Sequence, residues 1–181
     1  MCPTHTIGDY AKLDPKNIKP HIRLNLPVHD FTLDLRRCNL VANYIAEYVS
    51  YYFEQKDRAE NLVSSVFYEL IEHLVSKALD DTAVDIGFST VGEWLVFEIS
   101  FFLPSEERRG LEELLGEINK KDIDAYYLEA LESGLENARP KNAMGMIMIA
   151  HDYRAQLSAL LQEGGEPSVV RACIRQEEIA T

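Results

Sequence analysis

Residues 33–55, LDLRRCNLVANYIAEYVSYYFEQ, contain neither proline nor glycine, and this stretch most limits what the chain can become. Without either helix breaker it reads as one long helix, with Thr32 placed to cap its start. Asp57 is placed to cap a second helix, RAENLVSSVFYELIEHLVSKAL. There Val63, Val66, Phe67, Leu70, Leu74 and Ala78 recur at three and four residues, the helical period. Two long amphipathic helices need an apolar surface to lie on, and the flanking segments offer strands.

In HIRLNLPV, Ile22, Leu24, Leu26 and Val28 alternate, and Pro27, lacking an amide donor, puts that strand end at a sheet edge. TAVDIGFST places Val84, Ile86 and Phe88 on one side. EWLVFEISFFL places Leu95, Phe97, Ile99 and Phe101 on one face, with Val91-Gly92 as the hairpin connection. Pro104-Ser105 opens a polar helix, SEERRGLEELLGEINK, and Asp122 starts another, IDAYYLEALESGLEN. ARPKNAMGMIMIAHDY reads as a proline-containing loop and a short helix. AQLSALLQ and SVVRACIR flank the turn EGGEPS as a C-terminal hairpin. Residues 1–20, polar and carrying Pro3, Pro15 and Pro20, read as a loose lead-in, and 21–181 as a single domain. The order predicts an α+β two-layer sandwich, a mixed, mostly antiparallel sheet with helices on one face.

With 18 basic against 30 acidic side chains the formal charge is −12, which disfavours general nucleic-acid binding and anionic membranes. No apolar run approaches the ~20 residues of a membrane span, and the N-terminus has no apolar signal region. Cys2, Cys38 and Cys173 are odd in number and form no C-x-x-C pair, the usage of a reduced cytosolic protein. A cytoplasmic location is the expectation.

Two segments draw attention for chemistry. Glu69, His73 and Lys77 succeed one another at spacing four beside the apolar arc of the second helix. They form either a boundary salt-bridge row or a polar site looking into a cleft. Met144, Met146 and Met148 alternate with Gly145, Ile147 and Ile149; this is ordinary core packing, or a helix start whose glycine lets a ligand approach closely. His5, His21, His29 and His151 fit no zinc-enzyme spacing, and no nucleophile elbow or P-loop is present.

In their order and strand–helix setting, these two segments resemble the histidine-kinase-like ATPase superfamily, the Bergerat or GHKL fold. The likeness is to a small bacterial branch related to anti-sigma-factor serine kinases of partner-switching systems. ELIEH, 69–73, stands where that superfamily carries E-x-x-x-N, the N-box, whose Glu is the kinase base and whose Asn holds Mg²⁺. AMGMIMI, 143–149, stands where G-x-G-x-x-[IL] meets the phosphates, and AHDYRAQLS is similar to the branch's K/N-D-Y-x-A-x-L ending. The resemblance spans roughly residues 35–162 and makes His73, Lys77, Ala143 and Gly145 the nucleotide-binding candidates, with Glu69 catalytic if the protein is active.

The departures are informative. His73 replaces the Mg²⁺-binding Asn, and Mg²⁺ prefers hard oxygen ligands. Ala143 replaces the first phosphate-loop glycine. FEISFFLPSEERRG lacks the D-x-G-x-G box that reads adenine, and the Glu-rich segments 106–117 and 129–136, where the mobile ATP lid belongs, read as ordinary helices with Leu111, Leu114, Leu115, Ile118, Tyr127, Leu128 and Leu131 as their apolar residues.

What the resemblance then implies is a pseudo-ATPase, a signalling regulator binding a STAS-type antagonist or sigma-factor-like protein. No cofactor is expected, although ATP and Mg²⁺ remain possible ligands. The alternative is an active serine/threonine protein kinase acting on a STAS-domain partner. A third reading uses His73, between Glu69 and Lys77, as an acid or base in another enzyme class. Tyr44, Tyr48, Tyr51, Tyr52 and Phe53 either form a protein-binding patch, including a possible homodimer face, or pack on the sheet with hydroxyls at the rim.

Overall fold

In the computed structural model, which describes residues 4–10, 21–135, 143–162 and 165–180, the alternating segments assemble into one sheet. Its strands are β1 (Thr4–Ile7), β2 (Ile22–Pro27), β3 (Ala83–Val91), β4 (Trp94–Phe101), β5 (Gln156–Gln162) and β6 (Ser168–Arg175). Their order is β1-β5-β6-β4-β3-β2, and every pairing is antiparallel, so the parallel share expected of a mixed sheet does not occur among the described residues. Register sets Phe88 opposite Phe97 and Ile86 opposite Ile99, and Leu95, Phe97 and Ile99 face Ile174, Ala172 and Val170. All of these are buried. Gly92, at φ +59°, supplies the left-handed turn that closes the β3–β4 hairpin in two residues.

The helices are α1 (Val28–Leu33), α2 (Arg36–Ser50), α3 (Lys56–Val75), α4 (Ser105–Lys120), α5 (Ile123–Leu135), α6 (Ala143–Asp152) and α7 (Glu177–Ala180). α3 lies on the sheet, where the Phe67 ring meets Phe97 at 5.0 Å and Phe88 at 6.4 Å. Burying side chains of this size contributes about 1.5–3 kcal/mol each. α2 packs on α3, α4 on β5 and α6 on α3, which makes the helical layer of an α+β two-layer sandwich. Among the described residues no helix is long and apolar enough to cross a membrane.

Several local expectations are corrected. The first long helix is broken at Asp34–Leu35 and stops at Ser50. Thr32 does not cap it: its hydroxyl donates to Asp80 at 2.8 Å, while the Asp34 carboxylate accepts the Arg36 amide at 3.0 Å. Val28 opens α1 instead of extending β2. Asp57 sits inside the first turn of α3, where its charge favours the helix dipole without capping it. Asp122 does cap α5, accepting the Ala125 amide at 2.9 Å. α4 keeps the bounds read from the sequence. The proline-containing loop before α6 lies outside the described residues.

The lead-in also contains structure. Residues Thr4–Ile7 pair with β5 as an edge strand, and Tyr10 then crosses the sheet face opposite the helices. Tyr10 covers Arg171, which is 1% exposed: the guanidinium lies 4.3 Å over the Tyr10 ring, donates to the Tyr10 carbonyl at 3.1 Å, and binds Glu98 at 2.8 Å. A buried cation on a central strand is tolerable because it is paired and hydrogen-bonded in this way.

Candidate functional site

α3 and α6 bring the two chemistry-bearing segments together. Gly145 sits in the first turn of α6, where backbone N–H groups have no intrahelical acceptor. A Cβ built there would overlap the Glu69 carboxylate Oε2 and stand 2.9 Å from Cδ. A methyl at this position would therefore have to push the Glu69 carboxylate, the far end of a flexible side chain, out of its place. The group approaching this backbone closely belongs to the same chain.

Glu69 is half-buried, and burial, then the neighbouring Glu72 charge, pushes its carboxyl above the ordinary range. The Tyr68 hydroxyl donates to Glu72 at 3.1 Å. On α2, burial and the Glu72 charge push the Cys38 thiol up to about 11. At neutral pH that thiol stays protonated, so Cys38 is a packing residue and no nucleophile.

The Glu69–His73–Lys77 row does not survive as a unit. His73 is 3% exposed and faces the interior, not an open cleft. Lys77 lies beyond the end of α3, and its ammonium donates to Glu107 at 2.9 Å, at the start of α4. At the position the resemblance gives to the Mg²⁺ ligand stands an enclosed imidazole in place of a hard oxygen, a poor match to that ion's preference. Ala143 opens α6 and is half-buried. Met146, Ile147 and Ile149 are buried, so this run packs the core as well as delivering Gly145.

In the region where the resemblance places a lid, α4 buries Leu111, Leu115 and Ile118. α5 differs from the expected pattern: Tyr126 and Ala130 are buried, while Leu128 and Leu131 are exposed. Its Tyr127 stacks on His151 at 4.0 Å, fastening α5 to α6.

Two further features lie away from α3 and α6, and the sequence singled out only the second. A cleft of about 660 Å³ opens beside Gly8, Trp94, Asn119, Arg154, Ser158 and Cys173, and it contains none of the candidate residues. Its cation, Arg154, is bound to Asp124 at 2.6 Å. The second feature is the outward face of α2. The reading in which its tyrosines pack on the sheet is not what the fold adopts: Tyr44, Tyr48, Tyr51 and Tyr52 are 45–68% exposed. Only Phe53 packs against the core.

No protein-family model matches the chain, and no curated protein matches it significantly.

Proposed function

We propose that this chain is a cytoplasmic signalling regulator of partner-switching type in a bacterium. It is a Bergerat-type, histidine-kinase-like ATPase domain with a degenerate nucleotide site, and it binds a STAS-type antagonist or a sigma-factor-like protein. The observation that carries this reading is the contact between Glu69 and Gly145. The resemblance requires the N-box helix and the phosphate-loop helix to meet at one site, and these two residues belong to those helices. A carboxylate beside the first turn of α6 disfavours a phosphate there. His73 is enclosed, and Lys77 is engaged by Glu107. These features support binding without turnover.

One observation favours the kinase alternative. Glu69 is retained, half-buried, with its carboxyl raised, which suits a general base working closer to neutral pH.

A thermal-shift titration with ATP and ADP, each with and without Mg²⁺, separates the two. A ligand at a hundred times its dissociation constant stabilises by about 2.7 kcal/mol, a rise of roughly 5–10 °C for a domain of this size. The pseudo-ATPase reading expects no rise at millimolar nucleotide; a saturable rise overturns it in favour of the kinase. The partner is tested by calorimetric titration against purified STAS-domain and sigma-factor proteins, and absence of binding to both overturns that assignment.

A further inference from the structure

The cleft beside β5 opens where an edge strand stops short. β1 pairs with β5 from Gln162 to Ala159, where Ile7 ends the ladder, so Gln156–Ser158 have no strand on that side among the described residues. At Gly8 the chain turns away with φ +64°, and a Cβ there would stand 2.7 Å from the Leu157 carbonyl oxygen, a backbone atom. Glycine lets this turn pass close to β5 without a side chain filling the gap. The resulting opening of about 660 Å³ reaches both faces of the sheet. Register puts Ser158, Cys173 and Trp94 on one face and Leu157 on the other, where Ile118 of α4 and Ile123 at the start of α5 meet it.

The polar groups of the wall specify what fits. Ser158 is 5% exposed, and its side chain makes no hydrogen bond among the described residues. Leaving a buried hydroxyl unpaired is costly, so this one is set to meet a partner from outside the fold. Asn119 donates to the carbonyls of Leu115 at 2.8 Å and Leu157 at 2.9 Å. Both amide hydrogens are thus spent, and Oδ1, beside Gly8, is left as a fixed acceptor. Charge is not on offer: Arg154 holds Asp124 at 2.6 Å, and Asp9 is engaged within the chain. An acceptor and a hydroxyl among Trp94, Leu157 and two isoleucines suit a neutral ring with a donor on its edge.

We propose that this cleft binds a small uncharged aromatic molecule carrying an O–H or N–H donor, its polar edge turned to Ser158 and Asn119. Gly8 and Asp9 form one wall, so occupancy also holds the N-terminal segment on the sheet. The proposal is independent of the nucleotide reading, because none of Glu69, His73, Lys77, Ala143 and Gly145 lines the cleft.

Trp94 is the sole tryptophan of the chain, so its emission reports on this cleft. Phenol and benzamide are the neutral probes, with benzoate and benzylammonium as their charged counterparts. Phenol and benzamide should change the Trp94 emission saturably at millimolar concentration and shift the Gly8 and Ser158 amide resonances. The charged probes should bind about tenfold or more weakly. Ser158→Ala removes the hydroxyl without adding volume and should weaken phenol about tenfold, as loss of one hydrogen bond does. Ile123→Phe should fill the opening and abolish binding, with native circular dichroism in both variants. No saturable response to either neutral probe means that water alone satisfies Ser158, and overturns the proposal. So does a charged probe that binds as tightly as phenol, or binding that neither substitution weakens.

Discussion

At Gly145 two effects of opposite sign compete. Replacing a helical glycine by alanine ordinarily stabilises by about 0.5–1 kcal/mol, through the entropy of the unfolded chain. Here the new methyl would displace the Glu69 carboxylate from a half-buried position. Overpacking of this kind costs about 1–3 kcal/mol, so Gly145→Ala is expected to destabilise by about 1 kcal/mol net. In a Glu69→Ala background the clash is gone and the same substitution should become neutral or stabilising. Urea melts of the four proteins read the coupling directly. A stabilising Gly145→Ala in the otherwise unchanged chain would contradict the contact. Glu69 also carries a pH signature. Its folded carboxyl is held above the unfolded value, first by burial and then by Glu72, so the native state keeps this proton to higher pH. Stability from this group therefore falls as pH rises through the window between the unfolded and the raised folded value. Below that window the penalty is absent; above it the penalty is complete. Glu69→Gln removes it. The advantage of Glu69→Gln over the parent in urea melts should thus grow from acid to neutral pH. Asp34, Asp80 and Asp124 shift the opposite way but are common to both proteins and cancel in the difference.

Among the elements, β1 and the turn after it hold the N-terminus to the sheet. Ile7 and Tyr10 are buried, and their loss should remove about 3 kcal/mol. Removing residues 1–10 also bares the edge of β5, an apolar strand, and strips the cover from Arg171. The truncated protein should melt at lower denaturant and scatter light at concentrations where the full chain stays clear; an unchanged midpoint would mean this pairing contributes nothing. This element was not legible in the sequence, because a four-residue strand with one large apolar side chain has no periodicity of its own. β5 and Arg171, both far along the chain, call it into place. The central strands were legible, since Leu95, Phe97, Ile99 and Phe101 alternate along β4 and all turn to the helical layer's side of the sheet. α4 was legible because Pro104 and Ser105 mark its start. The break at Asp34 was not, because Thr32 and Asp34 are both good capping residues, and Asp80 on a distant turn recruits the first. The meeting of Glu69 with Gly145 was not legible, because periodicity puts each on a helix and says nothing about which helices touch.

The charge of the whole molecule bears on whether it can hold a nucleotide. A chain with a formal charge of −12 repels a polyphosphate at long range, so any site for one depends on local cations and oriented amides. Around α3 and α6 the candidate cation Lys77 is held by Glu107, and the Glu69 carboxylate lies against Gly145 in the first turn of α6. The first turn of α6 is thus already opposite a negative charge of the same chain, and an incoming phosphate would have to displace it. Placing asparagine at this position, as the resemblance prompts, with His73→Asn supplies an oxygen ligand but leaves both obstacles standing. That single substitution should therefore produce no thermal shift with Mg-ATP. Combining it with Glu107→Gln, which releases Lys77, and Glu69→Gln, which lowers the charge beside Gly145, should produce a measurable one, without phosphotransfer because the base is gone. If His73→Asn alone conferred nucleotide binding, metal coordination and not the closed electrostatics of this helix pair would be the element missing from the site.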